Sequence, residues 1–215
     1  MLYSTPTVHG AGIILFGDEA DFASLLHPIR NLYYGPPFEG NLEEFLYDFA
    51  YDIDSARSGS RTPLPAGHCK PRDERYNWVL RLWPRFLMNV GMLRVAAGFH
   101  PTSKGDQSSL YALEQCAEDA LLSYNPAAGR EALDWLNYFM DPPSSYLVQF
   151  VTEIEARYVR VSGKTRFARL PGFLQMLSTF SKEYQDFEQQ MPTRARNRGS
   201  ERDHLGWKDF PEFEW

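Results

Sequence analysis

The stretch YNWVLRLWPRFLMNVGML (residues 76–93) decides the fold of this chain, together with YDIDSARSGSR (residues 51–61) shortly before it. Residues 76–82 are rich in aromatic and β-branched side chains, which predicts a strand. Pro84 follows at once, and proline suits the first turn of a helix because that turn has no use for its missing N–H. Apolar residues then occupy nearly every face of the segment up to residue 98. We therefore predict a helix at the centre of the domain.

The core extends towards the N-terminus through three more elements. Residues 7–16 (TVHGAGIILF) favour a strand that pairs with residues 76–82, and residues 18–33 favour a helix with carboxylates in its first turn. The next helix begins at Asn41 and ends near Ser58, because apolar residues recur along it with helical spacing. These apolar positions are Leu42, Phe45, Leu46, Phe49, Ile53 and Ala56.

Further helices are predicted over residues 108–124, 126–141, 144–161 and 171–191. Gly163 suits the left-handed position that ends the third of these. In the last, apolar residues from Phe173 to Met191 alternate spacings of four and three. This seam favours packing inside the domain, and a homodimer through residues 173–191 stays open.

These elements predict an α+β fold that is mostly α-helical: a small two- to three-stranded N-terminal sheet packed against about six helices. Residues 1–190 are expected to form a single domain. Residues 191–215 are expected to form a polar linker with an acidic–aromatic end.

The composition narrows the class of protein. The chain of 215 residues has a net charge of −6, is 43% hydrophobic and contains two cysteines, Cys69 and Cys116. Two cysteines are too few for a disulfide framework and fit a reducing compartment. The N-terminal residues lack the pattern of a signal peptide, and no apolar run reaches the ~20 residues of a membrane span. We expect a soluble, cytoplasmic protein that does not enter a membrane.

The overall acidity argues against nucleic-acid binding, since affinity for phosphate depends on cationic side chains. A basic strip between residues 156 and 182 nevertheless contains six basic residues and no acidic one. A nucleic-acid accessory role is therefore kept as a third possibility. It would use Arg157, Arg160, Lys164, Arg166 and Arg169.

No standard catalytic, metal or cofactor motif is recognisable. The five histidines lack the spacing of metal ligands, and the glycines of HGAGIILFG (residues 9–17) match neither a phosphate-binding loop nor a dinucleotide fingerprint. The sequence therefore names no catalytic residue, predicts no metal and no cofactor, and leaves enzymatic activity open.

Two acidic features suggest a protein partner with a basic surface. Carboxylates recur every four residues along the helix over residues 41–57, at Glu44, Asp48 and Asp52, with Glu43 beside them. The end of the chain mixes acidic residues with Trp207, Phe210, Phe213 and Trp215. That end either docks on its own domain or is offered to a partner. The plain alternative for the helix is a solvated face.

Two arginines around a glycine turn form a different candidate site. Guanidinium groups at Arg57 and Arg61 could bind a carboxylate or phosphate, or simply cap the end of the helix. The complete candidate ligand site is Tyr51, Asp52, Arg57, Arg61, Trp78 and Arg81.

The order of three motifs resembles a small bacterial family of unknown function, over residues 10–95. The matching positions are Gly17, Asp18, Tyr51, Asp52, Ile53, Ala56, Gly59, Arg61, Leu82, Trp83 and Pro84. The chain departs from the family pattern at Asp54, Ser55 and Arg85, where the family has Arg, His and Glu. The resemblance implies a bacterial cytoplasmic protein and no particular activity.

The favoured prediction is a non-enzymatic bacterial interaction protein that binds and neutralises or regulates a macromolecular partner, as an immunity protein or antitoxin does. The alternative is an enzyme or ligand-binding domain for a phosphorylated or nucleotide-like small molecule.

Overall fold

The computed structural model describes residues 1–33, 41–60, 63–68, 71, 74–136, 146–198 and 210–215, with residues 33, 41–45 and 192–198 described by their backbone alone. Within these ranges the chain is mostly helical and carries a small N-terminal antiparallel sheet. The predicted α+β class is confirmed.

The sheet has three strands in the order β1 (Tyr3–Pro6), β2 (Gly12–Gly17) and β3 (Asn77–Leu82), all antiparallel. The predicted pairing of the N-terminal strand with residues 76–82 is confirmed. The single strand predicted over residues 7–16 is wrong, because residues 7–11 form a turn that separates β1 from β2.

That turn is fixed by its own hydrogen bonds. The hydroxyl of Thr7 accepts from the N–H of Gly12, and the carbonyl of Thr7 accepts from the N–H of Gly10. Gly10 has a φ of 65°, a left-handed conformation that side-chain-bearing residues rarely adopt. The turn therefore follows from the Thr7 side chain and from one glycine.

The two faces of the sheet bury different side chains. Ile13 and Leu15 of β2 point towards the helices, and Arg81 lies opposite Ile13 on the same face. Ile14, Phe16 and Trp78 form a smaller apolar cluster on the other face, against Leu64. Arg81 is therefore a charged residue on the face of the sheet that meets the helical core.

The helices are α1 (Glu19–Tyr33), α2 (Asn41–Arg57), α3 (Trp83–Phe99), α4 (Lys104–Tyr124), α5 (Pro126–Leu136), α6 (Leu147–Arg160), α7 (Gly163–Arg166), α8 (Leu170–Met176) and α9 (Lys182–Arg198). A 3₁₀ turn, Phe167–Arg169, joins α7 to α8.

The central position predicted for α3 is confirmed. α3 contacts α1, α2, α4, α5, α6 and α8 as well as the sheet. The ring of Trp83 at its start meets Phe86 and Phe167 edge to face, and Phe86 meets Phe49 of α2 in the same way. A helix that is apolar all round can only be stable where neighbours cover every face, and α3 has such neighbours.

The start of α4 and the conformation of Gly163 differ from their predictions. α4 begins at Lys104 rather than near residue 108, because its cap is Ser103, which forms a reciprocal capping box with Asp106. Gly163 begins α7 and does not have the predicted left-handed conformation.

The helix predicted over residues 171–191 is in fact two helices, α8 and α9. The hydroxyl of Ser181 accepts from the N–H of Tyr184 and donates to the carbonyl of Met176, so it caps α9 and ends the preceding turn. α9 continues to Arg198, and the linker predicted from residue 191 therefore begins inside a helix.

No helix within the described ranges is both long enough and apolar enough to cross a membrane.

Candidate functional site

Among the side chains of α2 that the structure describes, the exposed ones are Tyr47, Asp48 and Tyr51, and they form the outer face of the helix. The opposite stripe of the same helix is buried, with Phe49 and Ile53 both 0% exposed. Tyr47 is 54% and Tyr51 63% exposed, and one helical turn separates them, so their rings are neighbours. This face presents two amphipathic rings beside a carboxylate.

Asp52 does not share that exposure, although it follows Asp48 by one turn. Its carboxylate lies 2.7 Å from the guanidinium of Arg81, and its side chain is 39% exposed. Burial raises the pKa of Asp52, and the nearby charge of Asp48 acts in the same direction, while Arg81 opposes both. The Asp52 carboxylate is therefore committed to a partner within its own chain.

Arg81 joins β3 to two parts of α2. Its Nη2 also donates to the backbone carbonyl of Asp48, at 2.6 Å, and its guanidinium lies 5.8 Å from the centre of the Phe49 ring. Burial lowers the pKa of Arg81, and the charge of Asp52 only partly offsets this. These contacts fix the outer half of α2 on the edge of the sheet.

A second ion pair lies deeper, between α3 and α6. Nε of Arg85 donates to both oxygens of Glu155 at 3.1 and 3.0 Å, and Nη2 donates to Glu155 at 2.6 Å and to the hydroxyl of Thr152 at 2.9 Å. The two side chains are 12% and 6% exposed. Burial lowers the pKa of Arg85, but the attraction of Glu155 outweighs it and leaves that pKa raised.

The polar interior continues for another turn along both helices. Asn89 follows Arg85 by four residues on α3 and is 0% exposed, and neither polar atom of its amide finds a hydrogen-bond partner among the described residues. The side-chain oxygen of Gln149, three residues before Thr152 on α6, is likewise buried and unpaired there, as is Nε of Arg81. Unsatisfied buried polar atoms are rare in proteins and call for an explanation.

The structure unites only part of the predicted ligand site. Asp52 meets Arg81, whereas Trp78 lies on the opposite face of the sheet and Tyr51 points outward. Arg57 pairs with Asp54, which also binds Arg30 of α1 at 2.8 Å. The hydrogen bond from Arg57 lowers the pKa of Asp54. Arg61 lies outside the described residues.

The predicted partner surface is also only partly placed. The side chains of Glu43 and Glu44, and all of Trp207, lie outside the description. Phe210, Phe213 and Trp215 pack against the core of their own domain. The docked form of the chain end, which the sequence left open, is therefore the one observed.

Arg166 binds this docked end and is buried, so it does not belong to the exposed part of the predicted basic strip. It is 3% exposed, while Arg157, Arg160, Lys164 and Arg169 are exposed on the surface. Its Nη1 donates to the carbonyl of Glu214 at 2.7 Å, and its guanidinium lies 5.8 Å from the centre of the Phe213 ring. Arg157 forms an ion pair with Glu153 of its own helix.

The apolar seam over residues 173–191 faces the core of its own domain. Its buried members within the described side chains are Leu177, Tyr184, Phe187 and Met191, and Phe150 of α6 packs against the rings of Tyr184 and Phe187. Phe180 lies between the two helices and is 78% exposed. The homodimer remains an untested prediction, and the buried residues proposed to form it pack against the core of their own domain.

The sequence profile of a family described as a domain of unknown function (DUF6904) matches residues 2–215. The chain belongs to this family. The membership confirms the expected resemblance to a family of unknown function, and the match extends beyond residues 10–95 to the helical second half. No curated protein and no solved structure matches the chain.

The sequence did not lead us to predict the buried polar residues Arg85, Asn89 and Glu155 of this DUF6904 chain. Arg85 and Asn89 stand four apart inside the most apolar helix, and that spacing is the signal that they share a face. Thr152 and Glu155 stand three apart among apolar residues of α6, a spacing that also places both on one face. No group of three or more His, Cys, Asp or Glu side chains is placed to hold a metal in the described ranges.

Proposed function

We propose that this DUF6904 chain is a non-enzymatic interaction protein of the bacterial cytoplasm, which binds and neutralises or regulates a macromolecular partner in the manner of an immunity protein or antitoxin. The outer face of α2 is the proposed binding surface. The observation that supports the proposal is the exposure of Tyr47 and Tyr51 on either side of Asp48.

The chemistry of this face suits a basic protein partner. Tyrosine is enriched among the residues that dominate binding energy, because it buries a large ring and still offers a hydroxyl. A carboxylate next to two rings favours an arginine or lysine of the partner, which can contact a ring face and a charge together. Charge complementarity of this kind speeds encounter and sets specificity.

The proposed surface differs from the acidic row predicted from the sequence. Asp52 is engaged by Arg81 and contributes less to a partner than Asp48 does. The aromatic residues at the end of the chain are docked on the domain and are left out of this surface. Tyr47 and Tyr51, which the acidic row did not include, take their place.

The test compares two variants of the full chain, one with three substitutions and one with two. Tyr47→Ala/Asp48→Lys/Tyr51→Ala alters the proposed face, and Tyr111→Ala/Glu118→Lys alters an equally exposed tyrosine and carboxylate on α4. A partner purified with the wild-type chain is then titrated with each variant by calorimetry. We expect binding to weaken by roughly tenfold or more in the α2 variant alone.

Two further observations would accompany a positive result. Near-UV circular dichroism should show that the α2 variant is folded, since all three side chains are exposed, and binding should weaken as salt rises. Equal loss in the α4 variant, or full binding by the α2 variant, would remove the α2 face from consideration.

A second candidate function, a ligand-binding domain or enzyme for a phosphorylated or nucleotide-like molecule, is favoured by one observation. Arg81 and Arg85 lie together near Asp52, and Nε of Arg81 has no partner among the described residues. Phosphate and AMP are the probes for a thermal-shift assay. A rise in melting temperature that Arg81→Gln abolishes and Arg57→Gln preserves would support it; no shift with either probe would count against it.

A further inference from the structure

The segment Phe210–Trp215 lies on its domain in an alternating pattern. Phe213 and Trp215 are partly buried and pack against the core, whereas Glu212, before Phe213, and Glu214, between the two aromatic residues, are exposed. Side chains that alternate in this way are typical of an extended backbone, because successive residues point to opposite sides. The segment therefore contacts the domain with every second side chain.

Two consecutive carbonyls of the segment accept hydrogen bonds from the domain, from His9 and Arg166, and these two donors form the grip on the segment. The N–H of His9 donates to the carbonyl of Trp215 at 2.8 Å, and Nη1 of Arg166 donates to the carbonyl of Glu214 at 2.7 Å. The ring of His9 also lies 3.5 Å from the carboxylate of Glu214. Backbone bonds with alternate side-chain contacts are the general way in which proteins recognise extended peptides.

Arg166 is held in place by groups other than the segment. Its Nε and Nη2 donate to the carbonyls of Val161 and Val159 at 3.1 and 3.0 Å, and Nη1 also approaches the carbonyl of His9 at 3.4 Å. No carboxylate among the described residues forms an ion pair with it. A buried cation that the domain itself orients is available to any segment that offers a carbonyl and an aromatic ring.

The other side of the grip is equally pre-organised. His9 belongs to the turn of residues 7–11, whose internal hydrogen bonds join Thr7 to Gly10 and Gly12. The hydroxyl of Tyr158 donates to the carbonyl of Gly10 at 2.6 Å and fixes the turn on α6. Since neither side of the grip depends on the segment, the site should persist when the segment leaves, which lowers the cost of binding a peptide.

We propose that the surface formed by His9, Arg166 and the neighbouring core is a peptide-binding site for aromatic–acidic–aromatic segments of a partner protein, and that residues 213–215 (FEW) occupy it in cis. The segment that lies there defines the ligand: an aromatic ring over Arg166, an acidic residue beside His9 and a second ring one residue later. This site is separate from the outer face of α2 and does not depend on its role.

Tethering makes the resident segment a strong competitor. A short linker gives a tethered group an effective concentration of about millimolar, so a free peptide binds the wild-type chain poorly. A partner peptide gains access only when its own affinity exceeds that of the resident segment or when the segment is held elsewhere.

The experiment uses the full chain and an acetylated, amidated peptide of residues 210–215 (FPEFEW) carrying a fluorophore. Phe213→Ser/Trp215→Ser in the chain vacates the site, and fluorescence anisotropy measures binding of the peptide. We expect the vacated chain to bind the peptide with a dissociation constant lower than that of the wild-type chain by at least about tenfold. Near-UV circular dichroism confirms that the vacated chain is folded.

The controls are placed in the peptide, so that folding of the chain cannot explain their effect. Lysine in place of the residue equivalent to Glu214 replaces the carboxylate beside His9 by a cation near Arg166, and serine in place of both aromatic residues removes the packing; both should weaken binding. A folded, vacated chain that binds the peptide no better than the wild type overturns the proposal. Concentration-dependent dimers of the wild type that Phe213→Ser/Trp215→Ser abolishes would overturn the assignment to a partner, since a second copy would then supply the segment.

Discussion

Replacing Glu155 by alanine removes the carboxylate that holds the guanidinium of Arg85 between α3 and α6. The pair is buried, with side chains 12% and 6% exposed, and Glu155 receives three N–H···O contacts between 2.6 and 3.1 Å. In Glu155→Ala the guanidinium of Arg85 keeps its bond to Thr152 and loses the carboxylate of Glu155. Breaking a buried ion pair from one side typically costs about 3–5 kcal/mol.

The magnitude is large because desolvation, rather than the attraction itself, dominates the loss. A buried charge that loses its bonded carboxylate retains the cost of its removal from water. For a chain of this length, a loss of about 3–5 kcal/mol corresponds to a fall in melting temperature of roughly 6–20 °C. Replacing both partners in Arg85→Met/Glu155→Met removes the two desolvation costs together, and we expect that variant to lie within about 1 kcal/mol of the wild type or above it.

Urea unfolding of the wild type, Glu155→Ala and Arg85→Met/Glu155→Met measures these differences through the free energy of unfolding. The matched control is Glu114→Ala, which breaks the pair between Arg94 and Glu114 on the surface, where side chains are 41% and 20% exposed. That control should cost about 1 kcal/mol or less. A loss below about 1 kcal/mol in Glu155→Ala, or a double variant as unstable as the single one, would refute the reasoning.

Three further predictions concern the framework. A Cβ at Gly12 would lie 1.9 Å from the carbonyl oxygen of Arg81, so Gly12→Ala should abolish the cooperative unfolding transition in urea. A Cβ at Gly98 would lie in open space, so Gly98→Ala should raise the free energy of unfolding by about 0.5–1 kcal/mol. Equal effects of the two substitutions would contradict the pairing of β2 with β3. Ser103→Ala should cost about 1 kcal/mol because the capping box is lost, and an unchanged unfolding midpoint would deny it that role. Hydrogen bonds from Ser103 lower the pKa of Asp106, so its carboxylate contributes stability above the unfolded-state pKa of about 3.9 that disappears as pH falls through the lower folded-state value. Urea titrations between pH 2 and 6 should therefore show the advantage of the wild type over Asp106→Asn shrinking towards acid; a constant difference would contradict this assignment.

The fold class and the main elements were predictable because their signals are local. The apolar stripe of α2 recurs with helical spacing, and its bounds, Asn41–Arg57, agree with the prediction. The strand-to-helix passage at Leu82–Trp83–Pro84 combines a strand-like run with a proline that suits a first turn. Both features require only a few consecutive residues to agree.

The failures arose where two local signals compete. Ser103 and Ser108 are both possible caps for α4, and the reciprocal bond of Asp106 selects the earlier one. The seam over residues 173–191 keeps its spacing through residues 177–181, but the capping bond of Ser181 divides it into α8 and α9. Apolar spacing shows which residues can share a face and does not show whether the helix between them is continuous.

The sequence by itself determined that this chain is a mostly helical α+β domain with α3 at its centre, since periodicity and capping are written in neighbouring residues. Only the tertiary structure decided which charges are paired and which are exposed. Asp48 and Asp52 are equivalent along α2, and Arg81, arriving on β3, takes one of them and leaves the other exposed. Arg85 and Glu155 meet across 70 residues of chain, and Arg166 meets the segment at residues 210–215. Such contacts depend on how the elements pack, because packing decides which charged side chains are buried, and a buried charge needs a partner to offset the cost of its removal from water.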